Sequence, residues 1–154
     1  MADFLWDTPG SADTLFTGAS LNALADGAGV VGSEINNSSD RKTLMDVWVK
    51  VDTDITSVGT DARLDLYLIP APDGTNYPDP PGSTAADVTG TYFVGSISSV
   101  KRAGTVTNFT SGVLRGVTIP PWKFKIVLFN ELGAALPSND NTLVYGYRYN
   151  LADA

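Results

Sequence analysis

The sequence has no cysteine and no histidine among its 154 residues. Thiolate catalysis, disulfides and zinc–thiolate sites are therefore excluded. The commonest general base and the commonest transition-metal ligand are missing as well. What remains for chemistry is carboxylates, hydroxyls, aromatic rings and the ten lysines and arginines. A carboxylate pair is the first arrangement to test, because glycoside hydrolysis needs two, ~5 Å apart in retaining enzymes and further apart in inverting ones. Asp46 and Asp65 lie on two strand-like stretches and could pair across neighbouring strands. Isolated acids on a solvent-facing strand are ordinarily just solvated. Asp52 and Asp54, or Asn139, Asp140 and Asn141, offer oxygen ligands for calcium, but no EF-hand spacing accompanies them. There is no G-x-S-x-G elbow, P-loop or dinucleotide fingerprint, and Gly27-Ala28-Gly29 lacks the third glycine and a strong preceding strand. The expectation is a protein that is not an enzyme and holds no metal or cofactor.

Aromatic side chains are the better binding candidates. Trp48, Tyr67, Tyr77 and Trp122 could act as platforms for sugar rings, with Asp or Asn as hydrogen-bond partners. They serve equally well as anchors of a protein interface, where Tyr and Trp are enriched. A carbohydrate-binding or host-recognition β-sandwich module is thus one reading, and a protein-binding domain is another.

The elements that must carry these residues are strands. Ala62–Ile69 puts Leu64, Leu66 and Leu68 on one face and Arg63, Asp65 and Tyr67 on the other, the period-2 pattern of a half-buried strand. Pro70 and Pro72, which have no N–H to donate, are expected to end its pairing. Asp73-Gly74 turns the chain into a proline-rich loop over 70–90. Thr43–Val51 alternates Met45, Val47, Val49 and Val51 with Leu44, Asp46, Trp48 and Lys50. Further strands are expected over Thr91–Val100, Val113–Ile119, Trp122–Asn130 and Thr142–Leu151, with Pro120-Pro121 and Asn36–Asp40 as turns. In Trp122–Asn130, Phe124, Ile126 and Leu128 face in, while Val127 and Phe129 make the other face apolar. Such a strand is covered on both sides, by the second sheet and by a loop or another subunit. Thr142–Leu151 puts Leu143, Tyr145, Tyr147 and Tyr149 in one row. Ala19–Ala28 is either a short helix capped by Ser20 or a small-residue strand, and the β-like remainder favours the strand.

About eight such strands and no convincing helix imply an all-β antiparallel sandwich or jelly roll. It is a single domain over 19–154, long enough to bury a real core. Residues 1–18 lack a sustained period and read as an extended arm carrying Phe4, Leu5, Trp6 and Phe16. Trp6 and Phe16 are expected to bury either against their own domain or against a neighbouring subunit, and if the arm serves the neighbour, deleting residues 1–18 is expected to leave the fold intact. A formal net charge of -7 disfavours nucleic acid as a partner. No apolar run approaches the ~20 residues that span a bilayer, and nothing resembles a signal peptide. The expectation is a soluble protein synthesised in a cytoplasm, with no membrane partner.

Several stretches also resemble a known family. Leu64–Asp79 (L-D-L-Y-L-I-P-A-P-D-G-T-N-Y-P-D) is similar to a segment recurring in small structural proteins of tailed bacteriophages. Ser20–Gly27, then Leu114–Ile119 with Pro120-Pro121-Trp122-Lys123-Phe124-Lys125, and the closing Asn141–Tyr145 follow the same pattern. The chain resembles phage head decoration, or cement, proteins with a jelly-roll fold. The pattern leaves residues 1–19 unaccounted for. The resemblance implies a non-enzymatic virion protein on the outer capsid surface, bound as a homodimer or homotrimer after the head expands. Its partners would be the major capsid protein and further copies of itself. Candidate capsid or subunit contacts are Phe4, Leu5, Trp6, Phe16, Trp48, Tyr77, Trp122, Tyr145 and Tyr147.

Overall fold

A computed structural model describes residues 4–6, 13–16, 18–39, 41–55, 61–78, 92–98, 109–139 and 141–151. In chain order the elements are β1 (Phe4–Trp6), β2 (Asp13–Phe16), α1 (Gly18–Leu21), β3 (Gly29–Val31), β4 (Ile35–Asn36) and β5 (Lys42–Ile55). Then follow β6 (Arg63–Ala71), β7 (Phe93–Ser98), β8 (Phe109–Thr118), β9 (Lys123–Glu131) and β10 (Thr142–Leu151). All pairings are antiparallel.

Two sheets result. In the first, β1 and β2 both lie along β10, and the order continues to β5 and β8. In the second, β3 and β4 both lie along β9, followed by β6 and β7. Counting β1 with β2 and β3 with β4 gives eight strand positions. The first pairs with the last, the second with the seventh, the third with the sixth and the fourth with the fifth. That nesting, rolled so that β10 also pairs β5 and β9 also pairs β6, is a jelly roll. The all-β sandwich expected from the alternating rows is the observed fold.

Those rows build the core. Met45, Val47 and Val49 from β5 meet Leu64 and Leu66 from β6 and Phe124, Ile126 and Leu128 from β9, all buried. Each contributes the even or odd half of a strand, so one face of each sheet is apolar and turned inward.

Four expectations are corrected. First, residues 1–18 are more than an arm: Phe4–Trp6 and Asp13–Phe16 form an edge of the first sheet, and Leu15 and Phe16 are buried in the core cluster. Removing the stretch would strip core residues, so the deletion would not leave the fold intact. Second, Ala19–Ala28 is not a strand. Gly18–Leu21 makes one helical turn, and positive φ at Ala23 and Gly27 bends the chain onward. The Leu24 and Ala28 amides close turns onto the Leu21 and Ala25 carbonyls. Third, Pro70 does not end pairing. β6 continues along β9 through Pro70↔Phe124 and Ala71↔Lys123. Its partnership with β7 stops at Tyr67↔Phe93, so among the described residues Pro70 stands where β6 has one neighbour and its missing N–H is tolerated. Fourth, the row expected along β10 is interrupted, because the register slips between Tyr147 and Tyr149.

The second face of β9 is covered, and the chain itself does it. Val127 and, on the neighbouring strand, Ile69 both point away from the inter-sheet core, yet both are buried with a single copy present.

Candidate functional site

Several described carboxylates are committed to structure. Asp46 and Asp65 lie on the outward faces of opposite sheets, so they cannot form a catalytic pair. Nor are they simply solvated, being 7% exposed each. Asp46 accepts the Gly116 amide at 2.7 Å, where β8 bulges through the positive φ of Gly116. Asp65 takes both 3.0 Å contacts from Arg63 Nε and the Ser96 hydroxyl at 2.5 Å. Asp73 caps its own turn by accepting the Asn76 amide, the Asn76 side-chain N–H and the Thr75 amide, which pull its carboxyl down to about 2. The Asn141 side chain of the possible calcium loop donates to Asn22 and to the Pro137 carbonyl. The side chains of Asp52, Asp54 and Asp140 lie outside the described residues. Among the described residues no group of three or more potential ligands could hold a metal ion, and no helix is long and apolar enough to cross a membrane.

What the fold does assemble is an open apolar groove of about 430 Å³ at one end of the sandwich. β6 supplies Leu68 and Pro70, the start of β7 supplies Tyr92, Phe93 and Val94, and the end of β8 with its connection to β9 supplies Thr118 through Trp122. Trp122 is 44% exposed and Phe93 46%. Among the described residues no charged residue lines it.

Each wall has a local cause. Phe93 faces outward because β7 carries an extra residue, Val94, between the pairs Leu66↔Gly95 and Tyr67↔Phe93. The Phe93 ring then meets Tyr67 edge-on at 5.4 Å, and Tyr67 meets Phe129 at 5.5 Å. Gly95 lets β7 and β8 approach: a Cβ there would lie 2.8 Å from Leu114 Cδ1, and its φ is +151°. The Trp122 wall is fixed by a buried asparagine. Asn37 Nδ2 donates to the Pro120 carbonyl at 2.7 Å and to the Lys42 carbonyl at 2.8 Å, while its Oδ1 accepts the Lys42 amide. One side chain thus ties the 36–42 turn to the β8–β9 connection.

Of the sequence-based contact candidates, Trp122 alone lines this groove. Trp48 is exposed on the outer face of the first sheet, where its ring covers Gly146 so closely that a Cβ there would meet Trp48 Cζ3 at 3.1 Å. Phe16 and Tyr145 are buried within the chain. The backbones of Phe4, Leu5, Trp6 and Tyr147 pair in the first sheet, and their side chains lie outside the described residues. Phe93, Tyr92 and Asn37 were missed. Phe93 and Tyr92 carried only a strand signal, and Asn37 sat in what reads as a polar turn.

Tyr77 belongs to a separate cluster over β9. Its hydroxyl donates to Glu34 Oε2 at 2.7 Å, Glu34 Oε1 meets Lys123 Nζ at 2.8 Å, and Lys125 Nζ lies 4.6 Å from the Tyr77 ring centroid. Burial, then the hydrogen bond to Glu34, pushes the Tyr77 phenol up. The hydrogen bonds from Lys123 and Tyr77 pull the Glu34 carboxyl below its ordinary value of 4.5. A lowered folded value means the cluster stabilises the protein fully above that ordinary value and is lost as pH falls through the lowered one. Glu34→Gln is therefore expected to lower the melting temperature slightly at neutral pH. Its deficit against the parent should close in acid. A deficit unchanged down to strongly acidic pH would mean that ionised Glu34 contributes nothing.

Comparison with protein-family models, curated proteins and solved structures returns no match.

Proposed function

We propose that this chain is a structural protein of a tailed-phage virion, a decoration or cement protein. It would bind the outside of the expanded head as a homo-oligomer, bridge capsomers through contacts with the major capsid protein, and stabilise the shell. The observation that carries this reading is the division of labour in the jelly roll. Of the described acids, Asp46, Asp65 and Asp73 hold strands and turns, while two large aromatic residues stand exposed on a groove whose described lining is uncharged. A catalytic site needs the first group free, and a protein contact needs the second. The resemblance of Leu64–Asp79 and Leu114–Lys125 to phage decoration proteins supplies the specific assignment. An acidic chain with net charge -7 would keep free copies soluble before assembly.

Co-sedimentation with undecorated, expanded phage heads tests it. Saturable binding at a fixed copy number per head is expected. Trp122→Ala is expected to weaken that binding by about tenfold or more, as for a central aromatic anchor. Heads that pellet without the protein would overturn the proposal. The second reading, a carbohydrate-binding or host-recognition module of a phage tail structure, draws on the exposed indoles of Trp48 and Trp122. It predicts a glycan ligand lost on Trp48→Ala or Trp122→Ala.

A further inference from the structure

The stretch 72–78 turns back over the second sheet and is fastened there through Tyr77. β6 ends at Ala71, and the Gly74 amide closes a turn onto the Ala71 carbonyl at 2.8 Å. Asp73 accepts bonds from the Thr75 amide, the Asn76 amide and the Asn76 side chain, which stiffen that turn from within. Tyr77 then reaches across β9 to Glu34 on the β3–β4 connection, 43 residues away in the chain. Lys125 and Lys123 are the register partners of Ile69 and Ala71 on β6. All four share the outward face of the sheet, where Ile69 and Ala71 are buried. Tyr77 stands over this face, because Lys125 Nζ lies 4.6 Å from its ring centroid.

Charge holds the fastening. One oxygen of Glu34 accepts the Tyr77 hydroxyl at 2.7 Å and the other meets Lys123 Nζ at 2.8 Å, so two charge-assisted contacts depend on a single carboxylate. Among the described residues, the charged groups that meet Tyr77 and Glu34 are Lys123 and Lys125, both from β9. Asp73, in the same stretch as Tyr77, is committed to Thr75 and Asn76. Protonating Glu34 removes the ion pair, makes the tyrosine bond a weaker neutral one, and takes the Glu34 counter-charge from both lysines. Hydrogen bonds from Lys123, then Tyr77, set the Glu34 carboxyl below its ordinary 4.5. The hold is therefore complete above 4.5 and is lost as pH falls through the lowered value.

We infer that Tyr77 and Glu34 form an acid-released latch that fastens the stretch 72–78 as a strap across β9. The latch is a property of the isolated chain and does not rest on head binding. Nuclear magnetic resonance of the intact chain, carbon-13-labelled at lysine, tests it through the ε-methylene of Lys125. The Tyr77 ring shifts that signal upfield while the strap is closed. At neutral pH the signal should stand apart from free lysine, and in acid it should return in one step with a midpoint below 4.5. The ratio of open to closed strap should rise about tenfold across that step, as a charged hydrogen bond gives way to a neutral one. In Glu34→Gln the signal should not move with pH over the same range. Tyr77→Phe keeps the ring and removes the donor, so its Lys125 signal should lie closer to free lysine already at neutral pH.

Three results would overturn the inference. One is a Lys125 signal unmoved by acid while the chain stays folded. Another is a titration that survives Glu34→Gln, which would assign the opening to a different acid. The third is a Tyr77→Phe signal identical to the parent's at neutral pH, which would mean that the hydroxyl fastens nothing. That last comparison decides the matter even for a chain that unfolds in acid.

Discussion

A chain lacking residues 1–18 is expected to unfold, or to survive only as a poorly cooperative globule. The deletion takes away β2, the partner of β10 over Leu143–Tyr145, and with it Leu15 and Phe16. Those two side chains are 3% exposed each. Truncating one buried leucine costs about 2–5 kcal/mol and one buried phenylalanine about 3–5 kcal/mol. Their joint loss is on the order of 5–10 kcal/mol, against a total stability of about 5–15 kcal/mol for a domain. The excised strand would also uncover one edge of β10, inviting aggregation. Circular dichroism melting of the two chains decides the matter. A sharp transition within a few degrees of the parent would show that Leu15 and Phe16 are not core residues. A shorter deletion ending at Ala12 removes β1 and keeps β2, and should fold. That shorter chain, not the longer one, is the reagent for asking whether Phe4-Leu5-Trp6 contributes to head binding.

The contrast between β2 and the rest of the core shows what kind of information a sequence exposes. Met45, Val47 and Val49, or Leu64, Leu66 and Leu68, announce themselves because each row repeats every second residue over a whole strand. Leu15 and Phe16 are adjacent in a four-residue strand, too short for a period to register. Pro70 misleads for a different reason. A proline disrupts pairing only on the edge its nitrogen faces, and among the described residues β6 loses one neighbour three residues earlier. Edge occupancy is a property of topology, not of the residue. The aspartates follow the same logic. Asp46 and Asp65 sit on outward strand positions where solvation is the default, but the bulge at Gly116 and the Arg63–Ser96 pair enclose them.

The groove was legible in one wall only. Trp122 after a Pro-Pro turn suggests an exposed ring. Nothing in the order of residues places Leu68 and Phe93 beside it. That proximity comes from the jelly-roll order, which brings β7 and β8 to the same side of the sandwich although they end different sheets. Asn37 was hidden more thoroughly, since a buried asparagine and a solvated turn asparagine are written alike. What distinguishes them is the presence of stranded backbone groups nearby, and those appear only in three dimensions.

Asn130 is a second buried asparagine that joins two turns. It is fully buried at the end of β9. Its Nδ2 donates to the Leu24 and Ala134 carbonyls, each at 2.9 Å, and its Oδ1 accepts the Leu132 amide at 3.1 Å. Its backbone holds Gly27 and Ala28 as well, so one residue joins the 24–28 turn to the 132–136 turn across one end of the sandwich. Asn130→Leu keeps the volume and orphans two backbone groups, the Ala134 carbonyl and the Leu132 amide, while the Leu24 carbonyl keeps the Leu136 amide. Each orphan costs about 1–3 kcal/mol when dry. Ala134 is half-buried, so its carbonyl recovers some of that from water, and the expected loss is about 3 kcal/mol. For a chain this long that lowers the melting temperature by about 6–12 °C. Asn130→Asp separates hydrogen bonding from shape. Ionised, it sets a buried carboxylate against two carbonyls. That raises its folded pKa, so the variant should be least stable at neutral pH and regain stability as pH falls and the acid protonates. A leucine variant as stable as the parent would show that the two turns close without the asparagine. An aspartate variant whose deficit is independent of pH would show that the site is wet, and the buried-staple account of this end of the jelly roll would fail.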